Sequence, residues 1–188
     1  MSALILLRLK GFAKPEVLGA DAEVLIGNGL AEAGKLGMRL TVQGRIAADA
    51  VWQDERTTID AAANERVHTD FVALNSGFKA LVTAWQLRDG APNDHTDAAY
   101  DADIVAKLAV IDANLAKILS DATALVPRLA RYRPAFAAAL EALRAGEVRW
   151  MAAPIVDSYH TLWFELHEEL IRLTGRTRAA EAAAGHAA

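Results

Sequence analysis

The sequence contains no cysteine among its 188 residues, which excludes disulfides, thiolate metal sites and cysteine nucleophiles. It also has no run of the roughly 18 to 20 apolar residues that a membrane-spanning helix needs. The apolar start of the chain is short, and its basic residues Arg8 and Lys10 follow the apolar run, whereas those of a signal peptide precede it. We therefore expect a cytoplasmic protein with no membrane partner.

Glycine and proline are sparse, with 12 and 5 residues, whereas hydrophobic residues make up 53% of the chain. Alanine is abundant, which favours helices, and the apolar content suffices for a core, so we predict a mainly α protein. The net charge of −4 is not typical of a general nucleic-acid binder. Residues 1–50 carry six Lys or Arg against five Asp or Glu, so the acidic excess lies in the C-terminal part.

The most informative stretch is AGKLGMRLTVQGR, over residues 33–45. Its first two residues are typical of a helix end, with a glycine available for the closing turn. Residues 35–40 predict a tight two-strand ribbon tipped by Gly37, and Thr41 is a suitable N-cap for the next helix. The stretch therefore predicts a helix end, a small β-ribbon and a new helix in direct succession.

The chain upstream of this stretch supplies the helices of a helix-turn-helix. Residues 2–10 predict a first buried helix, and Pro15 starts a short second one. A third helix is predicted over residues 21–32, with Asp21 as its cap. Its inner face is formed by the apolar residues Val24, Leu25 and Leu30. By its position, this third helix would be the recognition helix that enters a DNA groove.

The LTVQGR pattern of residues 40–45 resembles the junction between the wing and the following helix in bacterial winged-helix regulators of the MarR and PadR kinds. The resemblance implies an N-terminal winged helix with a small β-wing, a transcriptional regulator that binds double-stranded DNA, and a homodimer held together by C-terminal helices. The candidate DNA-binding residues are Asn28 on the recognition helix, Lys35 and Arg39 on the wing, and Arg45 at the junction.

The charge of the recognition helix leaves a second interpretation open. Its expected exposed side chains are Asp21, Glu23, Asn28 and Glu32, and it contains no Lys or Arg. Neutralisation of phosphates supplies most of the non-specific affinity for DNA, and an acidic helix opposes it. The alternative function is therefore a regulatory or protein-docking module that does not bind DNA and is related to a domain appended to a metabolic enzyme.

We place the domain boundary near residue 56, between a winged-helix domain with a linker helix over 1–56 and a C-terminal helical bundle over 57–188, which serves dimerisation and ligand binding. The first helix of this bundle carries an apolar stripe with alternating spacings of four and three residues. The stripe consists of Val67, Phe71, Leu74, Phe78, Leu81 and Trp85. It packs against a neighbouring helix or, alternatively, forms the seam of a symmetric dimer. Further helices are predicted over 98–125, 135–145 and 154–173.

Polar and aromatic residues of the bundle predict a pocket for a small-molecule effector, because helix bundles bind ligands between facing helices. The candidate ligand-binding residues are Asn75, Lys79, Trp85, Arg131, Tyr132, Asp157, Tyr159 and His160. The alternative interpretation is that each of them has a surface or structural role.

Signatures of a metal site or an enzyme are weak. His160 and His167 share a predicted helical face with Asp157, but their gap of seven residues corresponds to about 10 Å of helical rise, too far for one metal ion. The chain has no glycine-rich phosphate loop, and Ser158 and His160 would face different ways on a helix. An enzyme acting through Asp157 and His160 is the last-ranked alternative. We therefore expect no metal, no cofactor and no enzymatic activity.

Overall fold

The computed structural model describes residues 2–183. This part of the chain is mainly helical, with 74% helix in ten α-helices, and its strands form two small antiparallel sheets of two strands each. The predicted mainly α class is confirmed. None of the described helices is both long and apolar enough to cross a membrane. The chain divides into two compact units between Ile59 and Asp60, close to the boundary predicted near residue 56.

The described part of the N-terminal unit, residues 2–59, contains four helices and one hairpin. In chain order they are α1 (Ala3–Lys10), α2 (Pro15–Leu18), α3 (Asp21–Gly27), β1 (Ala31–Gly34), β2 (Gly37–Leu40) and α4 (Val42–Thr58). Local signals fix several of the helix ends. The Ser2 hydroxyl accepts a hydrogen bond from the N–H of Ile5 at the start of α1, and Pro15 opens α2.

The third helix is shorter than the sequence predicts. Residues Ala31–Gly34, where a helix end is predicted, form strand β1 instead. Asp21 is the first residue of α3 and does not cap it, since the capping position is taken by Ala20. The chain turns at Gly29, whose positive φ of 67° suits glycine. Beyond this turn, pairing with β2 replaces the helical continuation.

Strands β1 and β2 form an antiparallel hairpin in which Ala31 pairs with Leu40. The sequence predicts the tip of the hairpin at Gly37. In the structure residues 35–36 form the turn, and Gly37 is the first residue of β2. Gly37 has a φ of 138°, and a Cβ atom at this position would lie 2.5 Å from the carbonyl oxygen of Ala13. The close approach of these two backbone segments therefore requires glycine.

Helix α4 begins where the sequence predicts. The Thr41 hydroxyl oxygen accepts a hydrogen bond from the Gly44 N–H at 3.0 Å, which confirms Thr41 as the N-cap. The same hydroxyl donates to the carbonyl oxygen of Gly29 at 2.7 Å and so ties the helix start to the turn before β1. The buried face of α4 consists of Gly44, Ala48 and Trp52.

The C-terminal unit contains six described α-helices, one 3-10 helix and a second small hairpin. In chain order they are α5 (Ala61–Gln86), β3 (Leu87–Arg88), β4 (Ala91–Pro92), α6 (Ala98–Leu125), the 3-10 helix (Pro127–Arg131), α7 (Tyr132–Arg144), α8 (Arg149–Ala152), α9 (Tyr159–Thr174) and α10 (Arg178–Ala183). The carboxylates of Asp60 and Asp97 cap α5 and α6 by accepting backbone N–H groups.

The apolar stripe of α5 lies in the core of the C-terminal unit, where α5 packs against α6 and α9. Leu74 is half-buried, and the other five members of the stripe are buried. The ring of Phe78 stacks on Trp163 of α9 with 4.1 Å between ring centroids, and Phe71 lies 4.7 Å from the same ring. The chain's own helices therefore cover the stripe, which favours the neighbouring-helix interpretation over a dimer seam.

The last long helix begins later than the sequence predicts. Ser158 caps α9 by accepting the N–H of Thr161, so the helix starts at Tyr159 and not at Pro154. Asp157 consequently precedes the helix and does not share a helical face with His160. The helix ends at Gly175, which adopts a left-handed conformation with a φ of 78°.

Candidate functional site

The four predicted DNA-binding residues are all exposed and lie at the end of α3, on the hairpin and at the start of α4. Lys35 is exposed in the turn of the hairpin, and Asn28 is exposed at the C-terminal end of α3. Nε of Arg39 donates to Oε1 of Glu32 at 2.9 Å, and Nη1 of Arg45 donates to the carbonyl oxygen of Leu40 at 3.1 Å. Both arginines therefore have a partner within the unit.

Arg39 and Arg45 share a shallow cleft of about 560 Å³ at the start of α4. Glu32 and Thr41 also line this cleft, whereas Lys35 and Asn28 do not. The structure thus brings two of the four predicted residues together. The carboxylate of Glu32 beside Arg39 reduces the positive charge that this cleft offers to a phosphate.

The outer surface of α3 carries acidic and apolar side chains. Asp21 and Glu23 are exposed in its first turn, while Val24 and Ile26 are 58% and 49% exposed. Val24 is therefore not on the buried face, where the sequence predicts it, because α3 turns Ala22 and Leu25 inward. Other large apolar side chains of the same unit are also exposed, namely Phe12, Val17, Leu36, Val42 and Ile46. Where such exposed apolar side chains adjoin one another, as contiguous patches, they mark interaction surfaces.

The eight predicted ligand-binding residues do not converge on one pocket. Asn75 is buried, and its side-chain oxygen accepts a hydrogen bond from Nε1 of Trp163 at 2.9 Å. Lys79 and Asp157 are exposed at separate places. His160 is half-buried against Phe164, and burial lowers its pKa below the ordinary histidine value.

Arg131 and Tyr132 belong to a buried network between the 3-10 helix and α9. Nη2 of Arg131 donates to the Tyr132 hydroxyl at 2.6 Å and to Glu165 at 3.2 Å. Arg128 forms a short ion pair with Glu169, which also accepts from the Tyr132 hydroxyl at 3.4 Å. Burial, and then the charge of Glu169, raise the pKa of Tyr132 well above its ordinary value. These groups bind one another and hold the two elements together.

Tyr159 belongs to a second internal network. Its hydroxyl donates to Oδ1 of Asp112 at 3.0 Å, and Arg133 donates two hydrogen bonds to the same carboxylate at 3.0 and 2.7 Å. The hydrogen bonds to Asp112 raise the pKa of Arg133, and burial raises that of Tyr159. This arrangement joins α6, α7 and α9 and accounts for Tyr159 as a structural residue.

Trp85 is the predicted ligand-binding residue that lines an open groove, which has a volume of about 590 Å³. The walls of the groove come from α6 and from the end of α7, and they consist mainly of Ala98, Ala102, Val105, Ala106, Ala109, Leu143 and Val148. His95 and Asp101 are the polar residues next to Trp85. Arg144, at the end of α7, also lines the groove. The groove is therefore mainly apolar with a few polar side chains, a combination that suits small ligands.

The imidazole of His95 is fixed in position at this end of the groove. Its Nδ1 lies 2.9 Å from Oδ2 of Asp101, and its ring packs on Trp85 with 4.5 Å between centroids. The amide nitrogen of Asn93 donates both to Asp101 and to the carbonyl oxygen of Trp85, each at 3.1 Å. The carboxylate assigns the Nδ1 proton, so that Nε2 is an acceptor in the neutral ring.

Sequence reasoning missed His95 and Asp101 because they lie in a loop of turn-forming residues and at the start of α6. His95 adopts a φ of 58°, which is uncommon for a residue other than glycine. This conformation turns the imidazole toward a residue six positions later. The sequence offered one usable signal, namely a histidine among Asp94, Asp97 and Asp101 shortly after the second hairpin.

A second group of residues has the chemistry of metal ligands. His68, His167 and Glu181 are buried, and one ligand atom from each lies within 4.8 Å of the others. They belong to α5, α9 and α10 and are widely separated in sequence. The fold therefore brings His167 together with His68 and Glu181, and not with His160, with which the sequence pattern groups it.

Comparisons with protein-family models, curated proteins and solved structures find no match to this chain.

Proposed function

We propose that this chain is a regulatory protein whose N-terminal unit is a winged helix that docks on another protein. The observation that carries the proposal is the outer surface of α3. In a DNA-binding winged helix this helix enters the major groove and needs cationic or neutral polar side chains. Here it presents Asp21 and Glu23 together with the apolar Val24 and Ile26.

The order of elements supports a winged helix of the MarR and PadR kinds. Helices α1 to α3 precede the hairpin, and the capped helix α4 follows it directly. The resemblance in the LTVQGR stretch lies at this junction, where Thr41 caps α4 and Gly44 lies against the backbone of Leu30. Fold alone does not decide between DNA and protein as the partner, so the chemistry of the surface must.

The charges of the unit favour a protein partner. Oε1 of Glu32 lies 2.9 Å from Nε of Arg39, so its carboxylate reduces the positive charge that the hairpin offers to a phosphate, and Arg45 donates to a backbone carbonyl. The exposed apolar residues Val24 and Ile26 on α3 gain by contact with another apolar surface. We expect a partner with an apolar patch and with Lys or Arg opposite Asp21 and Glu23.

Site-specific photo-crosslinking tests this docking. A photoreactive amino acid replaces Val24 on α3 or, as a control, Gln53 on the exposed side of α4, in the cells that naturally produce the protein. We expect a defined protein adduct from position 24 and none from position 53, and the substitution Glu23→Lys should abolish it. Adducts with DNA, or the same adducts from both positions, would contradict the proposal. An adduct between two copies of the chain would identify the partner as a second protomer.

DNA binding is the second candidate function, because Arg39 and Arg45 line one cleft and Lys35 is exposed in the hairpin turn. It predicts that Lys35→Ala and Arg39→Ala each weaken binding to duplex DNA and reduce its salt slope by about one. Lys107→Ala, at an exposed pair in the other unit, is the matched control. Unchanged binding in both hairpin variants would remove the hairpin from this mechanism.

We further propose that the groove beside Trp85 binds a small effector with an apolar body and one hydrogen-bond donor, which would face Nε2 of His95. The apolar fluorophore 1-anilinonaphthalene-8-sulfonate is a suitable probe of the groove. Ala106→Trp would fill the groove and should lower the fluorescence of bound probe, whereas Ala113→Trp, on the exposed side of α6 outside the groove, should not. Equal effects of the two substitutions would contradict a ligand site in the groove.

A further inference from the structure

We propose that His68, His167 and Glu181 bind one divalent transition-metal ion, preferentially Zn²⁺, which fastens α10 to α5 and α9. This inference is independent of the docking function, since it concerns only residues of the C-terminal unit.

The geometry of the three side chains is close to that of a metal site. Their relative exposures are 3%, 0% and 3%, and one ligand atom from each lies within 4.8 Å of the other two. Nε2 of His68 lies 3.5 Å from Oε2 of Glu181. Tetrahedral Zn²⁺ with bonds of about 2.0 to 2.1 Å places its ligand atoms about 3.4 Å apart. Coordination therefore requires a modest contraction of the cluster and no rearrangement of the helices.

The donor set indicates which metal the cluster would take. Two imidazoles and one carboxylate are suitable ligands for Zn²⁺, and also for Co²⁺, which makes cobalt a useful spectroscopic substitute. Ions that prefer all-oxygen ligands, such as Mg²⁺ and Ca²⁺, are poorly matched to two imidazoles. Because all three side chains are buried, the site is closed to large substrates. A water molecule would complete the tetrahedron as the fourth ligand, and the ion would have a structural role.

Arg176 occupies the edge of the cluster and carries the positive charge there. Its Nη1 lies 3.0 Å from Nδ1 of His68, its Nε lies 3.5 Å from Oε1 of Glu181, and its Nη2 donates to Glu65 at 2.6 Å. A guanidinium only donates hydrogen bonds, so Nδ1 of His68 accepts, and the proton of the neutral imidazole is on Nε2. Nε2 then faces Glu181 as a donor.

Metal binding requires the opposite tautomer of His68. A ring that coordinates through Nε2 carries its proton on Nδ1, where it would face the N–H of Arg176. The metal ion and the contact between Arg176 and His68 therefore exclude each other. The side chain of Arg176 is 38% exposed and is held by Glu65, so it can move away from His68 while keeping one ion pair. Arg176 would act as an internal cation that a metal ion displaces.

The consequence for the fold lies in α10. Glu181 is the buried residue of this short helix. Glu181 lies close to His68 of α5 and to His167 of α9, so an ion between them would join three helices at one point. A helix of six residues has little stability of its own, and its position depends on such contacts.

The test is metal titration of the full chain after treatment with a chelator. Zn²⁺ is titrated in competition with a chromophoric chelator, and Co²⁺ is followed by its visible absorption, which is intense for four-coordinate ions. We expect one equivalent to bind and the absorption of a tetrahedral site to appear. His167→Gln and Glu181→Gln should each weaken binding more than tenfold, while His160→Gln, which removes a histidine outside the cluster, should leave it unchanged.

Arg176→Gln distinguishes the metal site from a loss of folding, because unfolding would weaken metal binding and this substitution should strengthen it. Removing the competing cation should strengthen metal binding, by about tenfold or more, with circular dichroism confirming that helix content is retained. No bound equivalent in either the natural chain or Arg176→Gln would overturn the proposal. Binding that persists in both His167→Gln and Glu181→Gln, or that is lost in His160→Gln, would overturn it equally.

Discussion

Gly44 provides a direct test of how the N-terminal unit is assembled. It lies in the first turn of α4, and a Cβ atom at this position would be 1.8 Å from the carbonyl oxygen of Leu30 and 2.8 Å from its carbonyl carbon. Ordinary contacts begin near 3.4 Å. The obstruction is backbone, so a side-chain rotation cannot relieve it. Gly44→Ala should therefore push α4 away from the turn that precedes β1.

The expected magnitude follows from two opposing effects. Alanine is favoured over glycine within a helix by about 1 kcal/mol. Overpacking against backbone costs about 3 kcal/mol, at the upper end of the usual range. The displacement also strains the hydrogen bond that Thr41 N–H donates to Leu30 at 3.0 Å. We expect a net loss of about 2 kcal/mol in the stability of the N-terminal unit.

Hydrogen exchange measured by mass spectrometry resolves this unit separately from the rest of the chain, which a single unfolding curve for two units does not. A loss of about 2 kcal/mol corresponds to roughly 30-fold faster exchange of the amides in α4 and the hairpin. Gly27→Ala is the matched control, because a Cβ there meets nothing within 4 Å. Exchange in Gly44→Ala that is as slow as in the control would refute the close contact between α4 and Leu30.

Three further predictions concern the C-terminal unit. Asn75→Leu removes the acceptor of the buried Trp163 N–H and should lower the stability of the C-terminal unit by about 1 to 3 kcal/mol, measured by hydrogen exchange of its amides. The loss caused by Asn75→Leu should be smaller in the Trp163→Phe background. Asp112→Asn should lower the stability of the C-terminal unit by about 2 kcal/mol, because the partly exposed Arg133 loses its charged partner. Asp103→Asn, at an exposed ion pair, should leave that stability almost unchanged. Burial lowers the pKa of His160 in the folded chain. Below pH 6.5, therefore, His160 binds a proton in the unfolded chain before it does so in the folded chain. Stability should therefore fall as the pH drops from 6.5 through the folded pKa, and the profile of His160→Gln should be flatter; equal slopes in the two proteins would contradict this.

Local signals predicted several elements well. Helix α6 has the predicted bounds, because Asp97 caps it and its apolar residues recur at a helical period. Thr41 caps α4 for the same kind of local reason. These features depend on residues a few positions apart, which the sequence displays directly.

Strand β1 shows where local reasoning fails. Ala31, Glu32 and Ala33 are good helix formers, and their propensity predicts a continuation of α3. The structure instead pairs them with β2 and buries Ala31 beside Leu40. Pairing and burial outweigh the small differences in helix propensity, and the pairing partner is known only once the fold is known.

The candidate sites were the least predictable part. His68 and His167 are 99 residues apart, so no spacing rule brings them together. His95 meets Asp101 because of a backbone conformation that its residue type does not favour. Conversely, tyrosine is a residue type that often contacts ligands, and on that ground Tyr132 and Tyr159 were predicted as ligand-binding residues. In the structure both are buried, and their hydroxyls donate hydrogen bonds to carboxylates.

The central claim, that the N-terminal unit docks on protein and not on DNA, is tested most directly by fluorescence anisotropy with a labelled random-sequence duplex of roughly 20 base pairs, two helical turns. At a low salt concentration of about 50 mM, where phosphate contacts are strongest, we predict no binding up to about 10 μM protein. Binding at micromolar or lower concentrations that weakens steeply with added salt would contradict the claim, since it would demonstrate phosphate contacts made despite the acidic surface of α3.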